Sequence, residues 1–89
     1  MAVLQVVVEA GCRICQWAVE LAGQARERFP MLEVEIVNLS DGAREPPDGV
    51  FAVPTFVLDG DVFSLGNPHP AALMRYLAAR LALREEENR

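Results

Sequence analysis

The chain has 89 residues, 52% of them hydrophobic and 24% charged, enough for one small domain with a real core and too short for two. Its net charge is −5, and its eight basic residues are all scattered arginines. That balance excludes the concentrated basic face of a nucleic-acid-binding protein. No apolar run approaches the ~20 residues needed to cross a membrane.

Residues 2–8 read as a strand. Val3, Leu4, Val6, Val7 and Val8 are almost continuous, a pattern of a strand covered on both faces. Glu9, Ala10 and Gly11 end it, and Gly11 suits the turn into the next element. The pattern is helical over residues 12–29. Ile14, Trp17, Ala18, Leu21, Ala25 and Phe29 recur three and four apart and predict one apolar face. Pro30 stops the helix. A second strand spans 33–39, with Val34 and Ile36 on one side and Val37 and Leu39 on the other. Strand, helix and strand make a βαβ unit, whose two strands are expected to be parallel with a right-handed crossover.

Residues 40–49 are rich in Asp, Gly, Glu and Pro and predict a loop with at most one helical turn. Residues 53–58, Val-Pro-Thr-Phe-Val-Leu, form a third strand with a proline at its start. Asp59-Gly60 is a two-residue hairpin signal, which makes 61–65 a fourth, antiparallel strand. Gly66-Asn67-Pro68 breaks it. The last helix is expected over 70–84, with Leu73, Leu77 and Leu81 every fourth residue. Residues 1–84 then form the domain, and 85–89 a polar, fraying tail.

The chemistry lies in Cys12-Arg13-Ile14-Cys15. Cysteines three apart at a helix start lie on one face, with α-carbons about 5 to 6 Å apart, within disulfide range. The helix N-terminus carries unpaired N–H groups and a partial positive charge, which favours the Cys12 thiolate. Arg13 adds to that field if its side chain turns back to the sulfur. Cys15, one turn inward, is more enclosed. Cys12 is therefore the expected attacking sulfur and Cys15 the resolving one. Two cysteines without a secretory signal fit a reactive pair in the cytoplasm better than a structural staple.

A C-x-x-C after the first strand of a βαβ unit, followed by Val53-Pro54-Thr55 opening a ββα unit, resembles the thioredoxin/glutaredoxin superfamily. The resemblance runs from about Val3 to Leu83 and follows the shorter, glutaredoxin-type order. It implies an α/β, thioredoxin-like three-layer fold around a four-stranded mixed sheet. It also implies a cis Pro54 lying against Cys12 and Cys15. Val53, Pro54, Thr55 and Arg13 become the expected substrate-binding residues, with the Val53 backbone pairing an extended substrate segment. The implied activity is thiol–disulfide exchange on protein or small-molecule disulfides. A reductase or glutathione would supply electrons, with no bound cofactor and no metal.

The sequence departs from the family pattern at three places. Gly11 stands where thioredoxins carry a Trp, Gln5 is the one polar residue in the strand that usually holds a buried acid, and Arg13-Ile14 is an unusual dipeptide. Asn67 is read as a turn cap or as a holder of a ligand's amine, and His69 as an exposed residue near a helix start. Two other functions compete. One is a soft-metal (copper) carrier using both thiolates, although Ala10 stands where such proteins carry Met and the element order differs. The other is an adaptor domain without turnover.

Overall fold

The computed structural model describes residues 2–42 and 45–87. Strands β1 (Val3–Val8), β2 (Glu33–Asn38), β3 (Thr55–Leu58) and β4 (Asp61–Leu65) form one sheet in the order β2-β1-β3-β4. β1 pairs parallel with β2 and antiparallel with β3, and β3 pairs antiparallel with β4. The uncharged strands take the centre. Glu33, Glu35 and Asp61 sit on the two outer strands, where charge discourages pairing with another sheet.

Helix α1 (Arg13–Arg28) carries the chain back from the end of β1 to the start of β2, as a parallel pair requires. It buries Cys15, Ala18, Leu21, Ala22 and Ala25. The expected apolar stripe is thus rotated. Ile14 and Trp17 are 56% and 42% exposed, because the small side chains of Cys15, Ala18 and Ala22 let the helix lie close to the sheet along a neighbouring line. Helix α2 (Pro70–Glu87) buries Leu73 and Leu77. It continues past Arg84 through three glutamates, good helix formers with no breaker among them. Of the expected tail, residues 88 and 89 lie outside the described residues.

Both helices pack on one face of the sheet. Leu4, Val6, Val8, Phe56 and Leu58 meet Leu21, Ala18, Leu73 and Leu77 there. Val7, Val37 and Val57, with Val62 of β4 beside Val57, lie on the opposite face, where Leu39, Val50 and Val53 pack against them. The third layer expected from the sequence is therefore a loop layer. Among the described residues it carries one helical turn, the 3-10 turn Leu39–Asp41.

The hairpin forms as expected, with Asp59 and Gly60 at φ 49° and 88°, the left-handed pair of a tight two-residue turn. Asp59 Oδ1 accepts from the Val3 N–H at 2.8 Å and its other oxygen from Arg84. Phe63 stacks on Tyr76 with ring centres 4.1 Å apart, which fastens β4 to α2.

Candidate redox site

β1 ends at Val8, and the chain turns at Gly11 with φ +78°. The Ala10 N–H donates to Ser40 Oγ at 2.8 Å, which holds this turn to the 3-10 segment. Cys12 is the N-cap of α1, with extended backbone (φ −88°, ψ 108°). Its side chain makes no capping hydrogen bond, and the first turn of the helix holds no acidic residue. The positive end of the helix dipole is thus offered to the Cys12 sulfur without a competing carboxylate in that turn.

Cys12 and Cys15 are joined in a disulfide, with α-carbons 5.2 Å apart. Cys12 is half-buried and Cys15 is 3% exposed. The pair is asymmetric: Cys12 keeps part of its surface open, and Cys15 is enclosed. The Cys15 N–H donates to the Cys12 carbonyl at 3.2 Å and closes the turn between them.

The sheet brings the proline segment to the same end of the molecule. Val7 pairs with Thr55, so the step beyond Val8 on β1 and the step before Thr55 on β3 leave the sheet at the same end. Pro54 precedes Thr55 there, its bond to Val53 is cis, and it is buried. Val53 is half-buried and touches both hydrophobic clusters. The Gly66 N–H donates to the Pro54 carbonyl at 2.8 Å. Arg13 is exposed at the first position of α1, and Phe51 stands 82% exposed just ahead of Val53.

Thr55 does not fit the substrate-binding place expected for it. It is fully buried, and its hydroxyl donates to the Ala52 carbonyl at 2.7 Å. A side chain closed off by packing and already bonded braces the proline segment from within. Asn67 is half-buried and, rather than capping its own turn, reaches across to another segment. Its Nδ2 donates to the Ile14 carbonyl at 2.8 Å, while its Oδ1 is buried with no hydrogen-bond partner among the described residues. A sequence shows Gly66-Asn67-Pro68 as a break but carries no sign of a bond across so long a stretch of chain. His69 Nδ1 accepts from the Ala71 N–H at 3.1 Å, and its carbonyl accepts from the Leu73 N–H, so His69 caps α2. Among the described residues no group of three or more His, Cys, Asp or Glu side chains could hold a metal ion. No helix there is long and apolar enough to cross a membrane.

No family model matches the chain. It is 32% identical over 72 residues to the thioredoxin of Methanocaldococcus jannaschii, covering 79% of this chain and 85% of that one. Mitochondrial thioredoxin 3 from Saccharomyces cerevisiae, in its oxidised form, superposes with a TM-score of 0.66 at 22% identity, over 88% of this chain and 77% of that one. A chain from a structural study of the thiol resolving mechanism in yeast mitochondrial 1-Cys peroxiredoxin via glutathione/thioredoxin systems gives a TM-score of 0.65 at 21% identity, over the same shares. These two share the fold, while the archaeal relative shares sequence across most of both chains. With a C-x-x-C disulfide at the tip of α1, the chain belongs to the thioredoxin family and is a thiol–disulfide oxidoreductase.

Proposed function

We propose that this protein reduces disulfides of other proteins, with Cys12 as the attacking sulfur and Cys15 as the resolving one. The asymmetry of exposure within one disulfide carries this reading. In the dithiol form the Cys12 thiolate takes the place of a capping oxygen and accepts from the free N–H groups of the first helical turn. It attacks one sulfur of the substrate disulfide. That S–S bond breaks, a Cys12–substrate bond forms, and the departing sulfur leaves as a thiolate that takes a proton from solvent. Cys15, deprotonated to solvent, then attacks Cys12 Sγ. The mixed disulfide breaks, the second substrate sulfur leaves with the electron pair, and Cys12–Cys15 closes. The substrate gains two electrons and the protein loses two.

The segment Val53-Pro54 is the substrate's docking edge in this reading. Pro54 is buried and held by Gly66, while Val53, next to it, keeps part of its surface open. An extended peptide laid along Val53 brings its own disulfide over Cys12. Ile14, Trp17 and Phe51, all exposed, supply apolar surface on the same chain segments. The oxidised pair returns to the dithiol by exchange with a reductase or with glutathione. A reducing, cytoplasmic setting suits such a cycle.

The test is insulin reduction by the reduced protein, followed by turbidity. Turnover by the unaltered chain, none by Cys12→Ser and a trapped covalent substrate adduct with Cys15→Ser are the expected results. A folded protein that reduces neither insulin nor a small disulfide would overturn the reading in favour of an adaptor. An adduct formed by Cys12→Ser and not by Cys15→Ser would reverse the roles.

A further inference from the structure

We propose that Asn67 is a positioning residue for the redox pair, acting through the Ile14–Cys15 peptide. Its Nδ2 donates to the Ile14 carbonyl oxygen at 2.8 Å. The N–H at the other end of that peptide unit belongs to Cys15, and it donates to the Cys12 carbonyl at 3.2 Å. The two bonds run in series, from side-chain amide to Ile14 oxygen and from Cys15 N–H to Cys12 oxygen. The peptide unit is planar, so anchoring its oxygen fixes the direction of its N–H. Donation to the oxygen also polarises the unit and strengthens its own donation. The bond that closes the C-x-x-C turn is thereby set from outside the turn.

Gly66, the residue before, holds the other wall of the site. Its N–H donates to the Pro54 carbonyl at 2.8 Å. Two consecutive residues of the β4–α2 connection thus grip the two segments between which a substrate disulfide must enter. One loop thereby ties the cysteine turn to the proline segment.

The other end of the Asn67 amide separates this role from simple packing. Oδ1 is buried with no partner among the described residues. A buried, unpartnered acceptor costs free energy, which an apolar side chain of similar size would avoid. What only the amide supplies here is the donor toward Ile14.

The inference rests on Cys12 and Cys15 being the working pair. In the resolving step the Cys15 thiolate forms the Cys12–Cys15 bond as the Cys12–substrate bond breaks, and the substrate thiolate leaves to be protonated by solvent. The rate and equilibrium of that closure depend on how well the two sulfurs are held together. Loss of the Asn67 donor is expected to weaken closure about tenfold, which for a two-electron couple moves the reduction potential about 30 mV less negative.

The experiment compares the unaltered chain with Asn67→Asp, which keeps the shape and exchanges the donor for an acceptor, and Asn67→Leu, which fills the space without polar atoms. Reduction potentials are read by equilibration against glutathione redox buffers, folding by circular dichroism, and release of substrate thiol by stopped flow. Both variants are expected to fold, to show the less negative potential, and to hold the mixed disulfide about ten times longer. Unchanged potentials and release rates in both would overturn the proposal. So would a shift confined to a variant that has lost its folded spectrum. The potential is an equilibrium property of the dithiol and is measured whether or not insulin is reduced. A wild-type chain inactive on insulin with an Asn67-dependent potential counts against the reductase reading alone.

Discussion

Val7 of β1 stands opposite Thr55 of β3, and both are fully buried in the last pair of the ladder between the two inner strands. From this pair the two chains leave the sheet side by side, one toward Gly11 and Cys12, the other toward Pro54 and Val53. The moving parts of the chemistry are therefore carried by the two inner strands, whose backbone hydrogen bonds are satisfied on both sides. Antiparallel register in the core is what makes two distant sequence motifs neighbours.

Thr55 reports on this arrangement. Its hydroxyl is bonded to the Ala52 carbonyl, two residues before Pro54. Thr55→Val keeps the shape and removes one hydrogen bond, for an expected loss of about 1 kcal/mol. Urea unfolding should show the earlier midpoint with an unaltered slope. If Thr55 only braces the segment, KM for insulin moves little in material that is still folded. A large rise in KM at unchanged stability would instead place the hydroxyl against substrate.

Gly11 tests the entry to the helix. Its φ of +78° is a conformation that side chains resist, yet a methyl group there would meet no atom within 4 Å. The cost of Gly11→Ala is thus conformational rather than steric, about 1 kcal/mol. Because Gly11 directly precedes the N-cap, the strain is expected to relax partly into Cys12. Stability by urea melt and Cys12 alkylation rate should both fall. A variant as stable as the parent would show that the turn does not require glycine.

Which parts of this molecule could be read from residue order depended on whether the signal was local. The run Val3–Val8, the cysteine spacing and Asp59-Gly60 each declare themselves within a few residues, and each stands where expected. Ile14 and Trp17 misled because a 3.6-residue period permits two adjacent stripes. The choice between them belongs to the sheet, which accepts the line of small residues through Cys15, Ala18 and Ala22. Thr55 in a strand is equally at home on a rim or in a core, and only the Ala52 carbonyl decides. The loop layer over Val7, Val37 and Val57 and the bond from Asn67 to Ile14 are both contacts across long stretches of chain, with no local signature.

Asp59 separates stability from chemistry. It accepts from Val3 N–H and from Arg84 at the end of the sheet away from Cys12, and it holds φ at 49°. Asp59→Ala removes both bonds and places an alanine in a left-handed turn, for an expected loss of about 2 kcal/mol. Asp59→Asn keeps the turn preference and an acceptor for Val3, so about half that loss is expected. Neither should change the reduction potential. A shift in potential in either variant, measured against glutathione buffers, would show that the hairpin end communicates with the cysteines.

Arg13 offers an electrostatic test of Cys12 as the proposed attacking sulfur. It is exposed at the first position of α1, directly after Cys12, in a helix turn with no acidic residue. The charge therefore acts through solvent, at modest strength. Arg13→Glu replaces a cation beside the thiolate with an anion and makes the Cys12 thiolate harder to form. A slowing of about three- to tenfold in iodoacetamide alkylation of the reduced protein at neutral pH is expected. Ionic screening shortens the reach of such a charge from about 10 Å at 0.1 M salt to about 3 Å at 1 M. The gap between Arg13→Glu and the parent should therefore narrow as salt is raised. Arg13→Gln, which removes the cation and adds no anion, belongs between them. Equal rates for all three at low salt would show that the helix tip alone governs the sulfur and that Arg13 serves, if at all, in contact with the substrate.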